Sequence, residues 1–419
     1  MKKILSLVFI LAMIVIMCAC GNTEDDYIEI EFYHQIGTDV ETNKQLFDDI
    51  IADFEKENPG IKVKHVCLPT EQTWTVLSSR IQNNDTPDIF NGWFDTEEFK
   101  LMESGVVRDL TGSYLCDYID PTVLEHHTLN GKNYILPMTL NFTGVYYNVD
   151  LFNEYNVSIP TTIDEFWAVC EVFETAGIIP ISAGDKDGWN LGYSSQNIME
   201  YLMPDCVEEF PKIFNGSLKV KDMNGISEFA DFIIKRSEYV QEGALGADSD
   251  AMLSYFVNQE AAMMFDGANW MPTLNSAELD FEYAMFPMPG KTAEDTKIMV
   301  NGDISLLLSA SSSDEKQKAA EKFVEYLLTK GAEYYVDKTD CPSAVKNVSA
   351  DATHYELVAQ HLETGRTFKR PIAGHWADAS FMDYQVALQN LTVSGDKEAF
   401  YAEVERALLT YGKPNIYLE

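Results

Sequence analysis

Residues 28–66 read IEIEFYHQIGTDVETNKQLFDDIIADFEKENPGIKVKHV, and this stretch decides the fold class. Ile28, Ile30 and Phe32 alternate with Glu29 and Glu31, the period-two pattern of a strand with one buried face. Leu46, Phe47, Ile50, Ile51 and Phe54 then recur at helical spacing, and Asn58-Pro59-Gly60 stops that helix. Ile61, Val63 and Val66 form the next strand. Strand, helix and strand in this order make a βαβ unit, so the sheet is α/β and at least partly parallel.

The same grammar continues outward. Residues 74–82 suit a second helix, and Pro87-Asp88-Ile89-Phe90 suits a short buried strand. Residues 131–137 look like a hairpin arm and residues 144–148 like a strand. Thr162-Ile163-Asp164-Glu165 is a capping box, in which a hydroxyl and a carboxylate satisfy free N–H groups. Phe166, Val169, Cys170 and Phe173 give the helix that follows its apolar face, and Gly177 ends it. Later, residues 304–308 read as a strand, and Ser312-Ser313-Asp314-Glu315 caps a helix carrying Ala319, Phe323, Tyr326 and Leu327. No internal repeat or low-complexity linker interrupts the chain, so any crossing between lobes runs through strands.

At 419 residues the chain exceeds one ordinary core, and two lobes are expected. Its 46% hydrophobic and 12% aromatic content is that of a folded protein. The formal charge of −37 repels nucleic acid and anionic head groups, which excludes a nucleic-acid partner. Five cysteines follow Cys20, namely Cys67, Cys116, Cys170, Cys206 and Cys341. They are scattered, none has metal-ligand spacing, and an odd number cannot pair completely. Cys170, inside an apolar helical pattern, reads as a buried structural thiol.

Several spaced motifs coincide with one family. They are EKENPGIKV at 55–63, TPDIF at 86–90, GKNYILP at 131–137, VYYNVDLF at 145–152 and PTTIDEF at 160–166. QEAAMMFDGANW at 259–270, FPMPG at 286–290 and AAEKFVEYLL at 319–328 complete the series. In this order and spacing over residues 28–330 the chain resembles the extracellular solute-binding proteins of ABC importers, the group that includes maltodextrin-binding proteins. The resemblance implies a two-lobed periplasmic-binding-protein fold, type II-like, with ligand in a cleft between lobes joined by crossover strands. Mapped by motif, the crossovers fall near residues 138–141, near 299–303 and near Lys330. The N-terminal lobe is then 27–139 plus 302–330, and the C-terminal lobe 140–301 plus 331–419. Hinge closure on ligand is the expected motion.

The N-terminus supplies an address. Lys2 and Lys3, an apolar run over 4–17 and Cys18-Ala19-Cys20-Gly21-Asn22 form the three regions of a secretory signal. The end resembles a bacterial lipobox, with Cys20 as the lipidated residue because small Ala19 precedes it. Met17 stands where a lipobox has Leu, and an uncleaved anchor or an ordinary secretory signal is the alternative. Cleavage would remove residues 1–19 and leave 20–26 as lipidated cysteine and tether, holding the protein on the outer face of a Gram-positive-type envelope. A diacylated Cys gives the two chains that stable anchoring needs.

A sugar offers apolar C–H faces and a fringe of hydroxyls, so aromatic platforms with carboxylates and amides suit it. The resemblance places a ligand-contacting aromatic and an Asp after the third strand, matching Trp93 and Asp95. Trp270, flanked by Asp266 and Asn269 and preceded by Gly267, is the strongest platform candidate. Trp189, in a turn-rich loop, and Trp376 are further platforms, while Trp167 falls on a helical core face. His34 and Gln35 after the first strand, Asn301 at the second crossover and Glu71 before a helix complete the candidate set.

Expected partners are a carbohydrate and the ABC permease subunits; no cofactor is expected, and the protein should act as a monomer. Polyamine binding is the main alternative, with Asp95, Asp266 and Glu71 around a cation. Iron binding needs paired tyrosines, and Tyr146 and Tyr147 are adjacent in a strand, so their side chains oppose. No nucleophile elbow, HExxH or phosphate loop points to an enzyme. His126-His127 reads as a solvated turn, and an adhesin with an unused cleft is a third class.

Overall fold

The computed structural model describes residues 27–36 and 40–413. The signal segment, Cys20 and the tether to residue 26 lie outside the described residues.

The first lobe opens with β1 (Ile28–Ile36), α1 (Val40–Glu57), β2 (Ile61–Pro69), α2 (Thr70–Gln82), β3 (Ile89–Asn91), α3 (Thr96–Glu103) and α4 (Pro121–His126). A small hairpin, β4 (Thr128–Leu129) with β5 (Lys132–Asn133), leads to β6 (Ile135–Pro137). The chain then enters the second lobe through β7 (Leu140–Asn148), α5 (Val149–Glu154), α6 (Ile163–Ala176), β8 (Ile179–Ser182) and α7 (Gly188–Leu202). There follow α8 (Cys206–Phe214), α9 (Ile226–Glu238), α10 (Ser249–Val257), β9 (Ala261–Gly267), α11 (Met271–Ser276), β10 (Tyr283–Phe286) and β11 (Ile298–Gly302). β12 (Ser305–Leu308), α12 (Asp314–Tyr326) and α13 (Ala332–Thr339) return to the first lobe. α14 (Glu356–Glu363), β13 (Thr367–Phe368), α15 (Asp378–Ser394) and α16 (Lys397–Tyr411) end the chain in the second.

Two sheets organise these elements. The first runs β2-β1-β3-β12-β6, and the second β13-β11-β7-β9-β8 with β10 also on β7. β1 pairs in parallel with β2 and β3, as the βαβ reading of residues 28–66 requires. The alternation works as expected: Ile30 and Phe32 face a core closed by Phe47, Phe54 and Phe323, while Glu31 on the other face binds Arg80. Phe54 and Phe323 lie 4.9 Å apart by ring centroid, in a tilted contact of the kind that adds to area burial. In the second lobe, Tyr146 and Tyr147 point into different cores on opposite faces of β7.

Local signals shift by a residue in places. Thr162 caps α6 by accepting from the Glu165 N–H, but Glu165 reaches back to Thr161, not to Thr162. Gly177 ends the helix at φ 79°, a left-handed turn that only glycine adopts without strain. The five described cysteines are free, and Cys170 is buried as expected.

β6 runs into β7 and β11 into β12, so two crossings of the chain between lobes are made by strand connections. The third does not fall near Lys330. Tyr335, Cys341 and Val345 pack in the first-lobe core, and Tyr355 and Val358 in a second-lobe core. The chain therefore crosses between residues 346 and 354. The apolar face of α13 carries the first lobe beyond the π-helical turn at Leu327–Gly331.

Candidate functional site between the lobes

The carboxyl ends of β1 and β3 meet the second lobe across a seam, the position at which open α/β sheets place ligands. Two cavities lie there, each of about 60 Å³. His34, Gln35 and Asn91 line the first from one lobe, Asn269 and Pro272 from the other, and Asp303 from the crossover. Trp93, His126 and His127 line the second opposite Asn301, Lys369 and Arg370. Of the expected residues, the seam thus gathers His34, Gln35, Trp93, Asn269 and Asn301. Asp95 joins them through an ion pair: its Oδ2 accepts from Arg370 Nη1 at 2.8 Å, across the lobes.

Arg370 is held between the aromatic faces of Tyr193 and Phe381, 5.4 and 5.9 Å from its Cζ. Tyr193 donates to Asn301 Oδ1 at 2.6 Å, which fixes the amide on β11. Arg370 Nε is buried without a hydrogen-bond partner, a donor left for something else. The Trp93 loop rests on Glu98, whose Oε1 accepts the Trp93 N–H. Burial, and then the charge of Asp95, raise Glu98 to about 8, so it is a neutral acid at pH 7.

The crossover is tightly built. Gly302 N–H donates to His127 Nε2 at 2.9 Å, while His127 Nδ1 donates to the Val123 carbonyl, which fixes the tautomer. Burial lowers His127 to about 4. His127 is therefore a buried prop of the crossover, and the solvated-turn reading of His126-His127 is corrected. A Cβ at Gly302 would meet Ser305 Oγ at 2.6 Å and His127 Nε2 at 2.9 Å. Asp303 beside it is raised to about 6 by burial.

Packing places the other candidates differently. Trp270 is 0% exposed and sits in a second-lobe core with Tyr146 and Phe256, so no face of its ring is open to a sugar. Trp376 is 3% exposed and packs edge-on against Phe210 and Tyr384. Asp266 is buried, accepting from Asn190 Nδ2 at 2.6 Å and from the Gly267 N–H, and burial raises it to about 6. Its role is to hold the β9 turn that presents Asn269. Gly267 is required by close packing, since a Cβ there would collide with the side-chain amides of Asn269 and Asn141. Trp189 is 40% exposed, but it stands in the first turn of α7 and lines neither seam cavity. Glu71 lies in the first turn of α2, with its side chain outside the described residues. His34 lines the seam, yet it is 3% exposed and burial lowers it to about 3.

The sequence reading missed Arg370, Tyr193, Lys369 and His127. Arg370 is one of 30 basic residues and sits in no motif that would single it out.

The sequence model of the bacterial extracellular solute-binding proteins matches residues 38–334. The chain belongs to that family. This solute-binding protein is 29% identical over 358 residues to the multiple sugar-binding protein of Streptococcus mutans, covering 80% of this chain and 81% of the relative. It is 22% identical over 348 residues to the melibiose/raffinose/stachyose-binding protein MelE of Bacillus subtilis, covering 78% and 77%. Among solved structures, RafE in complex with raffinose superposes with a TM-score of 0.77 at 23% identity, over 92% of this chain and 99% of that one. The apo form of RafE from Streptococcus pneumoniae gives 0.72 at 23% identity, over 92% and 98%. These likenesses bear out the two-lobed α/β fold. The family is one of solute binders and not of enzymes, and its members work outside the cell. Among the described residues, no helix is long and apolar enough to cross a membrane.

Proposed function

We propose that this protein captures a sugar or oligosaccharide outside the cell and delivers it to the permease of an ABC importer. The observation that carries the reading is the seam. Polar side chains of both lobes (Gln35, Asn91, Asn269, Asn301), a half-buried Trp93 and an inter-lobe ion pair converge where the chain crosses between lobes. The relatives named as sugar binders support the ligand class. Amides and an arginine donor match sugar hydroxyls, and Trp93 offers an apolar face for the C–H surface of a ring.

Ligand pockets run to roughly 300–1,000 Å³. Cavities of about 60 Å³ therefore admit no sugar unless the lobes part, so binding is coupled to opening about the crossovers. In the cycle, the open form takes sugar on Trp93 and the amides. Closure then forms the Asp95–Arg370 pair, and the closed form docks on the permease and releases its load. Cys20 carries the lipid that keeps the cleft near the membrane, and the protein acts as a monomer with no catalytic activity.

Polyamine binding is less well served. Asp95 is neutralised by Arg370 and Asp266 is held by Asn190, so neither carboxylate is gathered around a shared space. Titration calorimetry against mono- and oligosaccharides, with spermidine as the competing class, tests the reading. Tight saccharide binding is expected; binding of spermidine alone would overturn it. Mass spectrometry of the mature N-terminus tests lipidation at Cys20.

A further inference from the structure

The edge of the first sheet carries a constellation that the cleft does not use. His34 on β1 stands opposite Cys67 on β2 in the parallel register, and Phe32 stands opposite His65. Side chains two apart on a strand share a face. His65 and Cys67 therefore project to one side together with His34, toward α1. One donor atom from each of the three lies within 4.8 Å of the others.

The spacing suits a common metal. Cys67 Sγ and His34 Nδ1 are 3.7 Å apart, within reach of a thiol hydrogen bond and equally of two ligands on one ion. On a tetrahedral zinc ion, sulfur at ~2.3 Å and nitrogen at ~2.0–2.1 Å would lie about 3.6 Å apart. His65 Nδ1 is 2.9 Å from Asp48 Oδ1, the carboxylate–histidine arrangement that orients a metal-binding imidazole and leaves Nε2 for the metal.

A second observation points to a ligand. His34 Nε2 and His65 Nε2 are both buried with no hydrogen-bond partner. His34 is 3% exposed, and the His65 side chain 6%. Of the two, His65 Nε2 is the nitrogen left free by the Asp48 contact, and its burial without a partner is costly unless something fills the space beside it; His34 would ligate through Nδ1, the nitrogen 3.7 Å from the thiol.

We propose that His34, His65 and Cys67 form a binding site for a zinc-class divalent cation, with Asp48 as the residue that positions His65. Two imidazoles and a thiolate are a borderline-soft donor set, which selects zinc or its chemical relatives over magnesium and calcium. Three protein ligands leave the fourth position to water. On binding, the metal replaces the Cys67 thiol proton, which passes to solvent, while both imidazoles ligate as neutral bases. The site lies on the β1–β2 edge and stands independently of the sugar reading. His34 alone links the two, since it also lines the seam.

The test uses the purified full-length chain, stripped with chelator and titrated with Zn²⁺ by calorimetry and with Co²⁺ by absorption. The expected result is one equivalent, a thiolate-to-cobalt charge-transfer band and d–d bands of tetrahedral strength. Cys67→Ser and His65→Gln line no seam cavity; each should lose the site, with affinity down more than ~100-fold, and Cys67→Ser should also lose the charge-transfer band. Asp48→Asn should weaken binding ~10–100-fold while keeping the band. Cys116→Ser, a control thiol elsewhere in the lobe, should leave everything unchanged. Metal-free circular dichroism of each variant checks the fold, and Asp48→Asn, a half-exposed change, carries the test if Cys67→Ser does not fold. Absence of a stoichiometric site in the wild type overturns the proposal. So does binding that Cys67→Ser, His65→Gln and Asp48→Asn leave intact, which would place the metal among the surface carboxylates.

Discussion

Replacing Arg370 by Gln should open the protein. Arg370 belongs to the second lobe and Asp95 to the first, so their ion pair acts on the closed form alone. The side chains are 14% and 26% exposed. At an effective dielectric of ~20 and ~4 Å between charge centres, the attraction is about 4 kcal/mol. Desolvation and side-chain ordering offset much of that, and fully exposed pairs retain only ~0.2–1 kcal/mol. A half-buried pair with aromatic support should keep roughly 1–2 kcal/mol, which is a factor of about 5–30 in the closed-to-open ratio. Small-angle scattering of the ligand-free chain measures this directly. Arg370→Gln and Asp95→Asn should each enlarge the radius of gyration, and the double variant should match the singles, because either change already removes the contact. Scattering curves that superimpose on wild type, or a double variant equal to the sum of the singles, would refute the latch.

Three further outcomes follow from the same geometry. Gly302→Ala forces a methyl group onto Ser305 Oγ and His127 Nε2, so thermal stability should fall by roughly 1–3 kcal/mol; an unchanged melting temperature would show that the crossover has slack. Asp303 has a folded pKa of about 6 against an ordinary 3.8, so the folded state binds its proton more readily than the unfolded chain does. Stability from this group therefore falls as pH rises from about 4 to 6, by up to roughly 3 kcal/mol. Asp303→Asn should flatten that slope in denaturant unfolding and raise stability at pH 7.5; equal slopes would count against the burial argument. Finally, Trp270→Ala should cost about 3–5 kcal/mol of fold stability as a core truncation. Trp93→Ala should instead weaken saccharide binding by a few kcal/mol at nearly unchanged stability. The opposite pattern in calorimetry and melting would restore Trp270 as the platform.

The fold was legible because its signals are local. Residues 28–66 state strand, helix, stop and strand through spacing alone, and the register of β1 with β2 follows from them. The site was less legible because it is assembled by contacts between distant residues. Asn269 and Trp270 are neighbours, yet one faces the seam and the other the core. Nothing in GANW distinguishes them; the short helical turn at Ala268–Trp270 rotates one out and the other in. Asp95 could be named from its loop, but its partner Arg370 lies 275 residues away. The third crossing was misplaced for a related reason: α13 continues from α12 through a π-helical turn, and no break in the apolar pattern marks where the first lobe stops.

The His34–His65–Cys67 group shows the same principle in another form. No spacing in sequence betrayed it, since one ligand comes from β1 and two from β2, and the helix that supplies Asp48 lies between them. Parallel pairing puts position 34 beside position 67, and the two-residue period puts 65 beside both. A βαβ unit can therefore bring together donors some thirty residues apart without any motif. The element that fixed the fold class at the start thus carries two separate consequences. The carboxyl end of β1 presents Gln35 to the seam, and the α1 face of the β1–β2 edge presents a donor set that suits a metal. Opening of the lobes would alter the surroundings of Gln35 and of the seam side of His34, but it would leave the donor set itself in place, because His34, Asp48, His65 and Cys67 all belong to one lobe.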